Sequence, residues 1–197
     1  MKIKHLIAWV FPMMLIGGCS EDYDLEKSIF YPDPEFPQLP MYSEWGYNTF
    51  GAFYDRQVFI SQDDITPLKV IVKDDSTFFR FNGRLGYSHE MSMVFYMTDI
   101  LPATYDQLTV LDQKTLDLND PRYGVKLYLD GERQDMELLG GTVEFRKAQY
   151  LLVDKVPEEV ILSGTFELQV VIDDEPFTIS RGRFDVGVCY DNFFRFD

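Results

Sequence analysis

From Tyr42 onward, apolar and polar residues alternate with a period of two, the pattern of strands that bury one face. Phe166, Leu168, Val170 and Ile172 alternate with Thr165, Glu167, Gln169 and Val171. Phe184, Val186, Val188 and Tyr190 alternate with Arg183, Asp185, Gly187 and Cys189. Shorter runs repeat the motif at Val125, Leu127 and Leu129 and at Val143 and Phe145, and Met91, Met93, Phe95 and Met97 form a further apolar row. Asn82-Gly83, Asp130-Gly131 and Gly140-Gly141 fall between runs and predict hairpin turns, where positive φ is cheapest for Gly and Asn. Asp173-Asp174-Glu175-Pro176 predicts the corner joining two long final strands. No helical stripe exceeds two turns; the best candidate, Pro102 to Leu108, predicts a short connection. These patterns predict an all-β, antiparallel domain of about nine or ten strands, and strand counting leaves a β-sandwich or a flattened β-barrel equally open.

The ends of the chain read differently. Lys2 and Lys4 precede an uncharged run from Leu6 to Ile16, which is shorter than the roughly 20 residues of a membrane-spanning helix and has the form of an export signal. It closes on Ile16-Gly17-Gly18-Cys19, which resembles a bacterial lipobox. That resemblance implies removal of residues 1–18 and acylation of Cys19, with several acyl chains giving durable anchoring where one would not. The acidic Ser20-Glu21-Asp22-Tyr23-Asp24 resembles the surface-export stretch of Bacteroidota lipoproteins, which implies the outer face of the outer membrane. Pro32, Pro34, Pro37 and Pro40 then predict that residues 19–41 form an extended acidic tether reaching about 65 Å. The alternative is that Phe30, Tyr31 and Phe36 fold back onto the domain. The β domain is expected over residues 42–197.

Composition narrows the partners. The chain carries 18 basic and 33 acidic residues, and losing Lys2 and Lys4 with the leader would bring its net charge to about −17. Such a surface repels phosphate backbones, so nucleic acid is not an expected partner. With Cys19 acylated only Cys189 remains, so no internal disulfide is available and stability must come from one sizeable core.

Three segments carry a wider likeness: Asn48-Thr49-Phe50-Gly51, Gly164-Thr165-Phe166-Glu167 and Gly182-Arg183-Phe184-Asp185. Together with the lipobox and Pro-rich tether they resemble a group of small Bacteroidota surface lipoproteins of uncharacterised function. The resemblance implies a fold and a location, and offers no activity to carry over. Physically, Phe50, Phe166 and Phe184 fit as core aromatics, and the glycines fit as bulges or close approaches. Glu167, Arg183 and Asp185 are placed to pair on the outer face of the closing hairpin.

Chemistry-bearing residues are sparse. His89 is the one histidine after the leader and is expected to be exposed and non-catalytic, with no nucleophile elbow or phosphate loop beside it. A glycan hydrolase needs two carboxylates about 5–9.5 Å apart, and Asp63-Asp64, Asp74-Asp75 and Asp173-Asp174-Glu175 are the candidate acidic turns. Asp112, Asp117, Asn119 and Asp120 are oxygen-rich, yet their spacing does not fit an EF-hand loop and reads as an Asp-Pro turn. No metal, cofactor or catalytic residue is expected. Trp45, with Tyr42, Tyr47, Phe53 and Tyr54, either presents an aromatic face to a glycan or protein or plugs the open end of the core where the tether enters. The Met row reads as core filler, and Cys189 lies out of phase with the core. The leading expectation is a non-enzymatic, lipid-anchored surface protein with a binding or accessory role. The alternatives are a carboxylate-dependent glycan hydrolase and a structural subunit of an envelope assembly.

Overall fold

The computed structural model describes residues 28–61 and 67–196. The leader, Cys19, the acidic stretch after it and Asp63-Asp64 lie outside the described residues. Twelve strands carry the fold of the described residues. The first five are β1 (Thr49–Tyr54), β2 (Gln57–Ile60), β3 (Leu68–Lys73), β4 (Ser76–Leu85) and β5 (His89–Met97). A short 3-10 helix, Tyr105–Leu111, precedes β6 (Thr115–Asp117), β7 (Tyr123–Leu129) and β8 (Glu132–Arg133). The long strands β9 (Met136–Val153), β10 (Val156–Ile172) and β11 (Glu175–Val188) follow, and β12 (Phe193–Phe196) closes the chain. Strands exceed the expected count because β6 and β8, of three and two residues, are too short to show a period.

All strands belong to one sheet ordered β6-β9-β10-β11-β1-β2-β4-β5-β7-β8, with β3 on β4 and β12 on β3. Every ladder is antiparallel except that of β12 with β3. The sheet doubles over at β1 and β2 without closing into a barrel, so its two halves face each other as a sandwich. Phe79 on β4 meets Phe145 on β9 at 5.4 Å, Phe81 meets Phe184 at 5.2 Å, and Phe95 on β5 meets Phe166 at 5.3 Å. Phe50, on the corner strand, stacks on both Phe81 and Phe166. Each buried phenylalanine contributes about 1.5–3 kcal/mol of burial free energy, so this aromatic layer dominates a core that has no disulfide. Met91, Met93 and Met97 fill gaps in it as core residues, and Leu108 and Leu111 of the 3-10 helix are fully buried beneath it. Among the described residues no helix is long and apolar enough to cross a membrane.

Two of the expected hairpin signals are not turns. Asn82-Gly83 lies inside β4 and Gly140-Gly141 inside β9. Gly83 is required by close packing, since a Cβ there would stand 2.2 Å from the Ile60 carbonyl oxygen. The turns fall to aspartates: Asp130 with Gly131, and Asp173 with Asp174, take positive φ, as does Asp74 between β3 and β4.

Residues 28–41 also depart from the expected extended tether, because they pack on the domain. Leu39 is fully buried, Pro32 pairs with Pro40 in an antiparallel bridge, and Asp33 accepts the backbone N–H groups of Glu35 and Phe36, both at 2.9 Å. Phe36 meets Phe53 edge-on at 5.8 Å while Arg181 lies 4.5 Å over its ring. Arg183 then ties the segment down by an ion pair to Asp33. The prolines stiffen this stretch, but burial of Leu39 and the buried side of that ion pair outweigh their preference for an open chain.

Candidate functional site

The three motif segments, distant in sequence, are neighbours in space on β10, β11 and β1. Phe184 pairs with Gly164 on one side and Phe50 on the other, and Gly182 pairs with Phe166. The two aromatic–glycine pairs are reciprocal, each ring lying over the glycine of the other strand; a Cβ on Gly164 would stand 2.6 Å from the Phe184 ring. On the outer face, Glu167, Arg183 and Asp185 do not pair with one another. Arg183 turns to Asp33 and the Pro40 carbonyl, and Asp185 is covered.

What covers it is a strap, residues 42–48, laid across the outer face of β10 and β11. Asp185 is 1% exposed and its carboxylate accepts from the Ser43 hydroxyl and from the backbone N–H groups of Trp45, Gly46 and Tyr47, at 3.2, 2.8 and 3.1 Å. Successive N–H groups can converge on one anion only if the backbone curls, and Gly46 supplies the bend with φ of 75°. At the far end of the strap Asn48 accepts the Gly187 N–H at 3.0 Å. Asn48 and Asp185, the outer members of two motifs, are therefore the two pegs of the strap.

Beneath it lies an acid that sequence reasoning missed. Glu159 is 5% exposed, its carboxylate lying across Gly187, where a Cβ would stand 2.0 Å from Oε2. Burial first, and the charge of Asp185 second, push its carboxyl up to about 7. Ser163, opposite Asp185 on β10, has a buried hydroxyl without a hydrogen-bond partner among the described residues. No local pattern marks Glu159 in the sequence, because its burial depends on a strap more than a hundred positions away.

Trp45 crowns the strap and is 73% exposed. It does not plug the core, because its backbone is pulled to Asp185 while the indole points away. Tyr42 is half-buried; its hydroxyl donates to Glu44 at 2.9 Å and Arg146 lies 5.3 Å over its ring. Burial, followed by the Glu44 contact, drives the Tyr42 hydroxyl well above the ordinary tyrosine range. Tyr47 packs on Tyr31 at 5.5 Å. Tyr54 belongs elsewhere: at the far end of β1 it stacks on Phe177 at 5.4 Å and faces the core. Beside Tyr42 runs an open groove of about 440 Å³, walled by Glu144, Arg146, Thr165, Glu167 and Arg183. It offers hydrogen-bond donors and acceptors along one side of the strap.

The remaining candidates are engaged locally. His89 is exposed and bonded to Asp130 at 2.8 Å. Asp112 accepts the Ala148 N–H, Asp117 holds Asn119, and Asp120 holds Arg122. Asp74-Asp75 and Asp173-Asp174 form turns. Cys189 is half-buried, and burial raises its thiol above the ordinary value, away from thiolate reactivity. Compared with known proteins, the chain matches no family model, no curated protein and no solved structure.

Proposed function

We propose that this is a lipid-anchored surface protein, acylated at Cys19 and held on the outer membrane facing the exterior, whose strap binds a glycan. The observation that carries the reading is the contrast within one residue. Trp45 presents an indole 73% exposed to solvent while its backbone is fixed to a carboxylate that is 1% exposed. An exposed indole gains little from folding, and holding its backbone in place reduces the entropy it loses on stacking against the apolar face of a sugar ring. The groove beside Tyr42 supplies carboxylates, guanidinium groups and a threonine hydroxyl for sugar hydroxyls. No catalytic step is proposed. Glu159 and Asp185 are buried under the strap, and Asp185 is taken up by four donors. Of the two acids on the open groove wall, Glu144 and Glu167, Glu144 is already bonded to Arg146 and Thr165, and both stand on one wall. A hydrolase needs its pair facing substrate across a cleft.

The test has two arms. Cys19→Ala should release the protein from membranes. A glycan array probed with the full-length protein should show a retained class that Trp45→Ala abolishes; an empty array, or binding indifferent to Trp45, overturns the reading. The envelope-assembly alternative draws support from the β9–β10 hairpin tip, where Leu152, Val153 and Val156 are 56%, 43% and 56% exposed. It would show as a stable oligomer in sedimentation.

A further inference from the structure

The outer face of the other half of the sheet holds a second groove of about 590 Å³, distinct from the strap, lined by Lys69, Ile71, Arg80, Asn82, Ser92, Phe194 and Phe196 among others. Its charge is the opposite of the chain's. Lys69 on β3 and Arg80 on β4 stand directly opposite each other, an arrangement that costs stability because like charges face across the ladder. Among the described residues neither forms an ion pair with an acid, in a chain where acids outnumber bases 33 to 18. Glu90, the one acid on the groove wall among the described residues, is opposite Arg84 instead.

Arg80 is nevertheless held still, and by neutral groups. Its Nε donates to Asn82 Oδ1 at 3.1 Å and its Nη2 to Ser92 Oγ at 3.1 Å. Ser92 Oγ in turn donates to the same Asn82 oxygen at 2.8 Å, and the guanidinium carbon lies 5.5 Å from the Tyr128 ring centre. This network orients the guanidinium without neutralising it, leaving Nη1 with no acceptor among the described residues. On the far wall, β12 runs parallel to β3 and sets Phe194 beside Ile71, with Phe196 56% exposed at the rim. A cationic pair at one end and an aromatic wall at the other fit one kind of molecule. A groove of this size lies within the range of small-ligand pockets, about 300–1,000 Å³.

We propose that this groove binds a small organic anion, a ring carrying one carboxylate, with the carboxylate on Lys69 and Arg80 and the ring against Phe194 and Phe196. The carboxylate replaces the missing acid between the two facing cations, and the fixed guanidinium loses little freedom in accepting it.

The test is an NMR titration of the purified full-length protein with benzoate and glucuronate, with glucose and inorganic sulfate as controls, at low salt. At least one carboxylate should bind about tenfold more tightly than either control, shifting resonances of β3, β4 and β12. Arg80→Gln should weaken that binding about tenfold, and Lys69→Ala, an exposed change that leaves folding intact, about threefold or more. Trp45→Ala should leave it unchanged, which separates failure here from failure of the strap reading. Sulfate binding as tightly as both carboxylates, no preference over glucose, or indifference to Lys69 and Arg80 would overturn the proposal.

Discussion

The ring of Phe166 lies so close across Gly182 that a methyl group on that glycine would sit 2.4 Å from ring carbons Cδ2 and Cε2. Phe166 is 1% exposed and wedged between Phe50 and Phe95, so it has no room to withdraw. Gly182→Ala should therefore destabilise the protein by about 1–3 kcal/mol, the usual cost of overpacking. Pairing it with Phe166→Leu, which frees the space, should give a coupling of about 0.5 kcal/mol or more in a double-mutant cycle followed by urea unfolding. Strict additivity would mean that the glycine serves some other purpose.

Asp185 gives a second prediction. Replacing it with Asn keeps the shape but removes the charge and one acceptor from a site where four donors converge. Unsatisfied buried donors cost about 1–3 kcal/mol each and do not add, so Asp185→Asn should cost about 2–3 kcal/mol. Fluorescence anisotropy of Trp45, the one tryptophan after the leader, should fall as the strap loosens. An unchanged anisotropy would show that the strap is held by something else.

Glu159 makes stability depend on pH in a definite direction. Its folded value is raised from 4.5 to about 7. Below 4.5 both folded and unfolded chains hold the proton and the site costs nothing through ionisation. As pH rises toward 7 the unfolded chain releases its proton while the folded chain keeps it, so stability is lost across this window. The loss is on the order of 1–2 kcal/mol once solvent screening at the strap's edge is counted. Glu159→Gln has no such loss. Its stability relative to wild type should therefore improve between pH 5 and pH 8 in urea titrations, and a pH-independent difference would contradict the assignment.

The strands that bury one face are legible where their period survives: Phe166 to Ile172 alternate inward as the pattern requires, whereas Phe184 to Val188 are buried on both faces, because the strap covers the outer one. The core phenylalanines of the three motifs were legible for the same reason. Asn82-Gly83 misleads because the same dipeptide serves a turn or a close approach, and only the position of the Ile60 carbonyl decides between them. The packing of residues 28–41 is legible only as the alternative to an open tether, through Phe36 and Tyr31, which pack on Phe53 and Tyr47; that Asp33 finds its partner in Arg183 on β11 is not visible locally. The strap was half-visible: Trp45, Tyr42 and Tyr47 stood out as aromatics, but nothing near them announces that Asp185 will gather their backbone. Tyr54 lies close to them in sequence, yet strand direction carries it to the opposite end of β1.

Trp45 itself supplies the most direct measurement. In the protein without residues 1–18 its emission is the only tryptophan signal, so a ligand seated on the strap must report through it. Titration with a glycan retained on the array should shift or quench that emission along a saturating curve that matches the binding isotherm. Tight binding of that glycan with the indole emission unmoved would contradict the claim that the strap is the recognition surface.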